Sequence, residues 1–366
     1  MPEIIVHEWI EAHGGAEKVL DSIASLYPLA QIKCLWNDAP YRFEQGRVSE
    51  SILARTPLRR NKAMALPLMP LTWRYSGRSN AGLILCSSHL FSHHVRFSGA
   101  ARSAPKIVYA YTPARYIWNP ELDTRGASFG ARVASVPLRK IDRARANEPR
   151  SIASISEFVR SRIQSAWDRD SQVIYPPVDV AFYTNKAQDW TPAEEGILQS
   201  LPDVYVLGAS RFIPYKRLED VILLGKAAGV PVVLAGDGPH APILKALAER
   251  TGASVQFVVR PSAQLLRELY VRALAYVFPP VEDFGLMPVE AMAAGTPVIA
   301  RAIGGASETV VHGKTGILLD EFEPVSMRNA VDNVDSLKTS DCVDRAWEFD
   351  QLVFERKMTR WVDANR

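Results

Sequence analysis

Two carboxylates eight residues apart, Glu282 and Glu290, bracket a stretch whose residue types could hold a polyhydroxylated anion. Between them Phe284, Gly285, Leu286 and Met287 lead into a helix. Pro288 suits its first turn, and Gly295 suits its end. The first N–H groups of a helix have no intrahelical acceptor and carry partial positive charge, so they attract phosphate. Two acids flanking such an end can grip hydroxyls on either side of a diphosphate. A nucleotide-sugar has that outline: sugar, diphosphate, ribose. Either glutamate alone reads equally well as a solvated or helix-dipole residue; the full stretch favours a site.

A second anion cradle lies upstream. Arg211 and Lys216 sit in a loop between an apolar strand and a helix. Arg can bridge phosphate oxygens bidentately, and Lys adds a point charge. Gly236-Asp237-Gly238 marks a further turn after an apolar strand. Near the start of the chain, His13-Gly14-Gly15 separates a strand from a helix, and a Gly-Gly turn lets a ligand approach the backbone. His89, His93 and His94 cluster without a nearby acid or thiol in a metal spacing, so no metal site is expected. Asp168-Arg169-Asp170 reads as a solvated turn.

The elements that position these residues alternate between strand and helix, the grammar of parallel sheets. Apolar runs predict strands at Ile4–Trp9, Leu83–Cys86, Lys106–Tyr111 and Ser151–Ser156. Others are expected at Val204–Gly208, Val232–Ala235, Val255–Val259, Leu274–Phe278 and Pro297–Ala300. Helices are expected up to about Leu26, across Leu138–Arg150, and at Glu157–Trp167 and Leu218–Ala228. Val173–Asp179, with Pro176 and Pro177, is extended and reads as a hinge.

The stretch Glu-Asp-Phe-Gly-Leu-Met-Pro-Val-Glu-Ala resembles the Glu-x7-Glu motif of the retaining GT-B glycosyltransferases of family 4. The resemblance implies an α/β fold of two Rossmann-like domains facing each other across a cleft. Residues 1–178 would hold the acceptor and 179–341 the nucleotide-sugar. A helical region, 342–366, would cross back to the first domain. It implies that Glu282 contacts the donor sugar and Glu290 the ribose. Arg211 and Lys216, an Arg-x4-Lys pair, would neutralise the diphosphate with the amides of Phe284, Gly285 and Leu286. Val259 and Arg260 would meet the base, and Gly14 and Gly15 the donor phosphates. His13, Tyr111 and Arg115 would face the acceptor or the reacting sugar. Arg211, Lys216 and Glu282 are the residues expected to carry catalysis. Thr112-Pro113-Ala114-Arg115-Tyr116-Ile117-Trp118-Asn119 also resembles a family segment, but Tyr111 stands where the family has a histidine. A phenol does not carry a proton near neutral pH as an imidazole does.

The wording of these motifs is most similar to bacterial mannosyltransferases of polysaccharide assembly. That implies GDP-mannose as donor, no cofactor beyond it and no metal. A UDP- or dTDP-sugar transferase, a nucleotide-sugar epimerase and a non-catalytic sugar-nucleotide binder stay open. Composition bounds the rest. The chain has 366 residues, 47% of them apolar, which suits two globular cores. Residues 51–120 hold ten Lys/Arg and no acid. This basic face fits an anionic partner, a polyprenyl-diphosphate-linked saccharide or an anionic membrane surface. Arg55–Trp73 places cations before apolar residues, as a surface-lying segment does. The cations lack interleaved aromatics, which argues against nucleic acid. Three isolated cysteines, Cys34, Cys86 and Cys342, and a strand-like start predict a cytoplasmic protein, peripheral at the inner face of the cell membrane.

Overall fold

The computed structural model describes residues 3–118, 129–185 and 190–366. The chain forms two compact units, one of residues 1–177 with 352–366 and the other of residues 178–351. Asn119, at the end of the aromatic segment, lies outside the described residues.

The first unit is built on a parallel sheet of β1 (Glu3–His7), β2 (Gln31–Cys34), β3 (Val48–Glu50), β4 (Leu83–Ser88), β5 (Lys106–Ala110), β6 (Ser151–Ser154) and β7 (Gln172–Val173). Its spatial order is β3-β2-β1-β4-β5-β6-β7. Ile5 pairs with Ile32 on one side and Leu85 on the other. β4 and β5 are buried along their whole length. Uninterrupted burial of that kind is why such strands read as continuous apolar runs. Helices α1 (Gly15–Leu26), α2 (Phe129–Arg145) and α3 (Glu157–Trp167) belong to this unit. Helix α2 starts well before the expected Leu138 and runs through Pro137. Ser156 caps α3 by accepting the Val159 N–H, and Asp168 ends it in a left-handed conformation.

The second unit has six parallel strands: β8 (Val206–Ala209), β9 (Val232–Gly236), β10 (Val255–Val259), β11 (Ala275–Phe278), β12 (Val298–Arg301) and β13 (Gly316–Leu319). They lie in the order β10-β9-β8-β11-β12-β13. Helices α4 (Leu218–Ala228) and α5 (Leu286–Ala293) follow β8 and β11. The core joins Val206, Val232, Leu234, Val277 and Ile299 of the sheet to Leu218, Val221 and Ile222 of α4. Helix α6 (Gln351–Asp363) returns to the first unit from Leu352 onward.

Both sheets share one topology. The first three strands run outward from the centre, and the fourth starts again beside the first. This is the Rossmann order, and its reversal point is where open α/β sheets bind ligands, beyond the carboxyl ends of the strands. In the second unit the reversal lies between β8 and β11. In the first it lies between β1 and β4.

Candidate active site

The loop after β8 carries Arg211 and Lys216, and the loop after β11 carries Glu282. The sheet order makes these loops neighbours, and Lys216 Nζ forms an ion pair with Glu282 Oε1. Both side chains are largely shielded, with 14% and 20% of their surface exposed. Tyr215 reinforces the approach by donating to the Val281 carbonyl at 2.6 Å. The Glu282 loop is also held from its far side, where its carbonyl accepts the Gly305 N–H at 2.7 Å. Gly304 and Gly305 are small because this loop lies against them. A Cβ on Gly305 would stand 2.2 Å from Phe284 Cα.

Gly285 takes a left-handed φ of 87° and precedes α5 as its N-cap, with no side-chain cap bond. A non-glycine residue is strained there. Phe284 is buried and packs on Phe349 at 5.8 Å, while Leu286 opens the helix and is half-buried. Glu290 is buried on α5. The Tyr183 phenol hydrogen-bonds to it, and Tyr183 has its pKa raised, by burial first and then by the Glu290 charge. Tyr276 of β11 has its pKa raised for the same reasons. Glu290 therefore stands among buried phenols, 107 residues from Tyr183 in the chain. No local sequence pattern could have supplied that partner.

Arg211 directly follows Ser210 at the end of β8 and is exposed. It makes no side-chain ion pair among the described residues. The neighbouring turn folds against it, with Phe212 N–H donating to Asp237 O at 2.8 Å. Gly236 is required here, since a Cβ would meet Ser210 O at 1.9 Å and φ is 141°. Val259 and Arg260 end β10 at the same sheet edge. Both are exposed, and Arg260 donates to Asp237 at 2.6 Å. The second unit thus gathers Arg211, Lys216, Glu282, Phe284, Gly285, Leu286, Glu290, Val259 and Arg260 at the carboxyl edge of one sheet.

In the first unit the picture differs from expectation in two places, the Tyr111 phenol and the histidines. Tyr111 does not offer a free phenol: its hydroxyl donates to Ala16 O at 3.2 Å and lies 2.9 Å from Ser87 Oγ. Burial raises its pKa. Gly14 is exposed, and a Cβ there would stand 1.9 Å from the Glu17 carboxylate. That carboxylate turns back to accept the Glu11 N–H at 3.3 Å. The histidines do have acids nearby, brought from distant parts of the chain. Glu8 lies beside His89, and Asp142 beside His93 and His94. His13 and Gly15 are exposed, and Arg115 is half-buried on the short helix Arg115–Trp118.

Asp142 and Glu8 are both held ionised. Burial opposes the charge of Asp142, but the two imidazoles outweigh it and its pKa is lowered. Trp118 and Trp167 each donate to its Oδ2 at 2.7 Å, and His94 donates to Oδ1 at 3.0 Å. The carboxylate of this cluster is saturated, while Nδ1 of His94 is buried without a hydrogen-bond partner among the described residues and Nε2 of His93 meets only the Asp142 carboxylate. Glu8, one residue beyond β1, accepts the N–H groups of Leu90 and Ser92 at 2.9 Å each. Burial opposes its charge too, and the neighbouring histidines with these N–H groups lower its pKa. An acid directly after an apolar strand was the one sequence signal for Glu8.

Two parallel Rossmann-like α/β units define the GT-B fold. Anabaena Alr3699/HepE, solved with UDP-glucose, superposes with a TM-score of 0.73 over all of both chains, at 20% identity. Sucrose-phosphate synthase of Thermosynechococcus elongatus gives 0.72 over 100% of this chain and 99% of that one, at 17% identity. Residues 195–343, within the second unit, match the family model of glycosyl transferases group 1. Among curated relatives, the GDP-mannose-dependent alpha-(1-6)-phosphatidylinositol monomannoside mannosyltransferase of Mycobacterium tuberculosis is 30% identical over 187 residues, 46% of this chain and 48% of that one. The D-inositol 3-phosphate glycosyltransferase of Mycolicibacterium smegmatis is 34% identical over 184 residues, 47% and 40% of the two chains. The chain spans about half the length of the curated relatives it matches.

Proposed function

We propose that this chain is a retaining glycosyltransferase of family 4, an α-mannosyltransferase that draws on GDP-mannose. One observation carries the reading: Lys216 and Glu282 meet at the reversal point of a Rossmann-ordered sheet, in the loop that leads to the N-terminus of α5. In this reading the sugar–phosphate bond breaks while negative charge builds on the diphosphate. Arg211, Lys216 and the amides of Phe284, Gly285 and Leu286 oppose that charge. Preorganised donors of this kind contribute about 3 kcal/mol each. Glu282 takes a hydroxyl of the donor sugar, and Glu290 takes the ribose. The exposed edge at Val259 and Arg260 takes the base. The acceptor oxygen attacks on the same face, and its proton leaves with the phosphate. Gly14, Gly15, His13 and Arg115 then belong to the acceptor side, and the Tyr111 phenol serves the scaffold.

The acceptor is a polyprenyl-diphosphate-linked saccharide, reached at the inner face of the cell membrane. Arg55, Arg59, Arg60 and Lys62 line one surface hollow of about 1110 Å³. Next to it in sequence, Met64, Leu68, Leu71 and Tyr75 expose apolar surface at helical spacing. Cations beside an exposed apolar stripe suit an anionic lipid surface. No described helix is long and apolar enough to cross a membrane. A UDP-sugar is the second reading, favoured by the likeness to a protein solved with UDP-glucose.

A thermal-shift screen against GDP-mannose, UDP-glucose, a dTDP-sugar and an ADP-sugar separates these readings, since a ligand bound only by the folded state raises its stability. GDP-mannose is expected to give the largest shift, with GDP released on turnover. If no nucleotide-sugar shifts the melting, the reading fails.

A further inference from the structure

At the carboxyl ends of β1 and β4, where the order of the first sheet reverses, three groups converge that the proposed transfer does not use. One nitrogen from each of His7 and His89 and one oxygen of Glu8 lie within 4.8 Å of one another. Nδ1 of His89 is 3.1 Å from Oε2 of Glu8. Ligands about 2.1 Å from a tetrahedral zinc ion stand roughly 3.4 Å apart, close to this spacing. The two imidazole rings are 5.5 Å apart and inclined at 64°, so they converge without stacking.

Hydrogen bonding leaves this set incomplete. Nε2 of His7 is buried with no hydrogen-bond partner among the described residues, and Nδ1 of His89 meets only the Glu8 carboxylate. Buried polar atoms are nearly always paired, and an orphan points to something the protein chain does not supply. The rest of the arrangement is built as a ligand shell is built. Nδ1 of His7 lies 3.0 Å from Ser87 Oγ, which fixes the ring and directs Nε2. Oε1 of Glu8 is held by the Leu90 and Ser92 N–H groups, and Oε2 faces His89. His89 keeps 22% of its side chain exposed, so the cluster has one open side. The Asp142 cluster differs on this point. Its carboxylate is filled by two indoles and an imidazole, and it is closed to solvent.

We propose that His7, Glu8 and His89 bind a zinc-class divalent cation. Two imidazoles and a carboxylate with one open position form a recognised donor set for that ion. It ties the end of β1 to the loop after β4 and leaves its open position toward solvent, where an anionic or hydroxyl-bearing ligand can join it. The site lies wholly within the first unit and does not depend on the transferase reading.

The test uses the full chain, stripped with EDTA, reloaded with Zn²⁺, freed of excess by gel filtration and measured by plasma mass spectrometry. Wild type is expected to retain about one zinc per chain. His89→Asn and His89→Gln, chosen because this side chain is partly exposed, are expected to lose it at least tenfold while keeping wild-type circular dichroism. Co²⁺ in place of Zn²⁺ is expected to give the visible absorption of a tetrahedral ion in wild type only. Zinc at the buffer level in wild type overturns the proposal and leaves a plain Glu8–His89 ion pair. Undiminished zinc in both folded variants overturns it too, by placing the ion elsewhere.

Discussion

Lys216 is held where its charge is useful and where its removal does little to the fold. Its ammonium pairs with Glu282 at a partly shielded edge, and such pairs contribute only about 1 kcal/mol or less to stability. Stabilising charge that develops in a transition state is worth about 3 kcal/mol, or a factor of 10² to 10³ in rate. Lys216→Ala is therefore expected to lower kcat of sugar transfer by that factor and to move the melting temperature by a few degrees at most. Equal turnover by the variant would remove Lys216 from the chemistry. Glu148 carries the opposite kind of role. It accepts from Lys106 at 2.8 Å, from Arg74 at 2.9 Å and from Arg145. Burial opposes its charge, but these cations bring its pKa from about 4.5 down to about 2. A carboxyl depressed on folding stabilises above its unfolded value and loses that contribution as pH falls through its folded value. Glu148→Gln should melt below wild type at pH 7, and the gap should close between about pH 5 and pH 2. A gap independent of pH would show that the ion pairs contribute nothing.

Among the elements, those bounded by their own residues were legible in the sequence. Helices at Glu157–Trp167 and Leu218–Ala228 and the strand at Val255–Val259 fall where the apolar runs and turn residues place them. The meeting of the Arg211–Lys216 loop with the Glu282 loop was partly legible too, because Glu282 to Glu290 and Arg211 to Lys216 are local patterns. What stayed hidden is tertiary. Tyr183 reaches Glu290, Glu8 reaches His89, and Glu17 fills the space beside Gly14, each through the fold rather than along the chain. At Gly14 the missing Cβ makes room for the Glu17 side chain, a use of glycine that the Gly-Gly pattern does not announce. Gly305 and Gly313 separate two uses of glycine. At Gly305 a Cβ would collide with backbone, Phe284 Cα at 2.2 Å. Gly305→Ala must displace the Glu282 loop and is expected to weaken nucleotide-sugar binding at least tenfold. Gly313 has a φ of 74° and nothing within 4 Å of a built Cβ, so its penalty is conformational only. Gly313→Ala should cost about 1 kcal/mol and leave binding unchanged. Equal binding by both variants in calorimetric titration would mean that the loop position does not set the site.

At the scale of the molecule, the first unit is completed by the last residues of the chain. Phe354, Met358, Trp361 and Val362 of α6 are buried. The indole of Trp361 donates to Ser151 Oγ at 2.9 Å, and Phe354 meets Tyr109 edge-on at 5.9 Å. Removing one such side chain from a core typically costs 2 to 5 kcal/mol, roughly speaking. Four together, about 8 to 20 kcal/mol, match or exceed the whole stability of a typical domain, about 5 to 15 kcal/mol. Every residue proposed for the donor edge lies within 178–351, which the chain completes before α6 docks. A chain ending at Gln351 should therefore lose the cooperative melting of the first unit and keep that of the second. GDP-mannose should still raise the transition that survives, because the donor edge proposed for it lies in that unit. Calorimetry of the truncated and full chains, with and without the nucleotide-sugar, checks both halves of this expectation. Survival of two transitions would show that α6 is dispensable to the first unit. Loss of the nucleotide-sensitive transition would show that the second unit cannot hold its donor edge without the first.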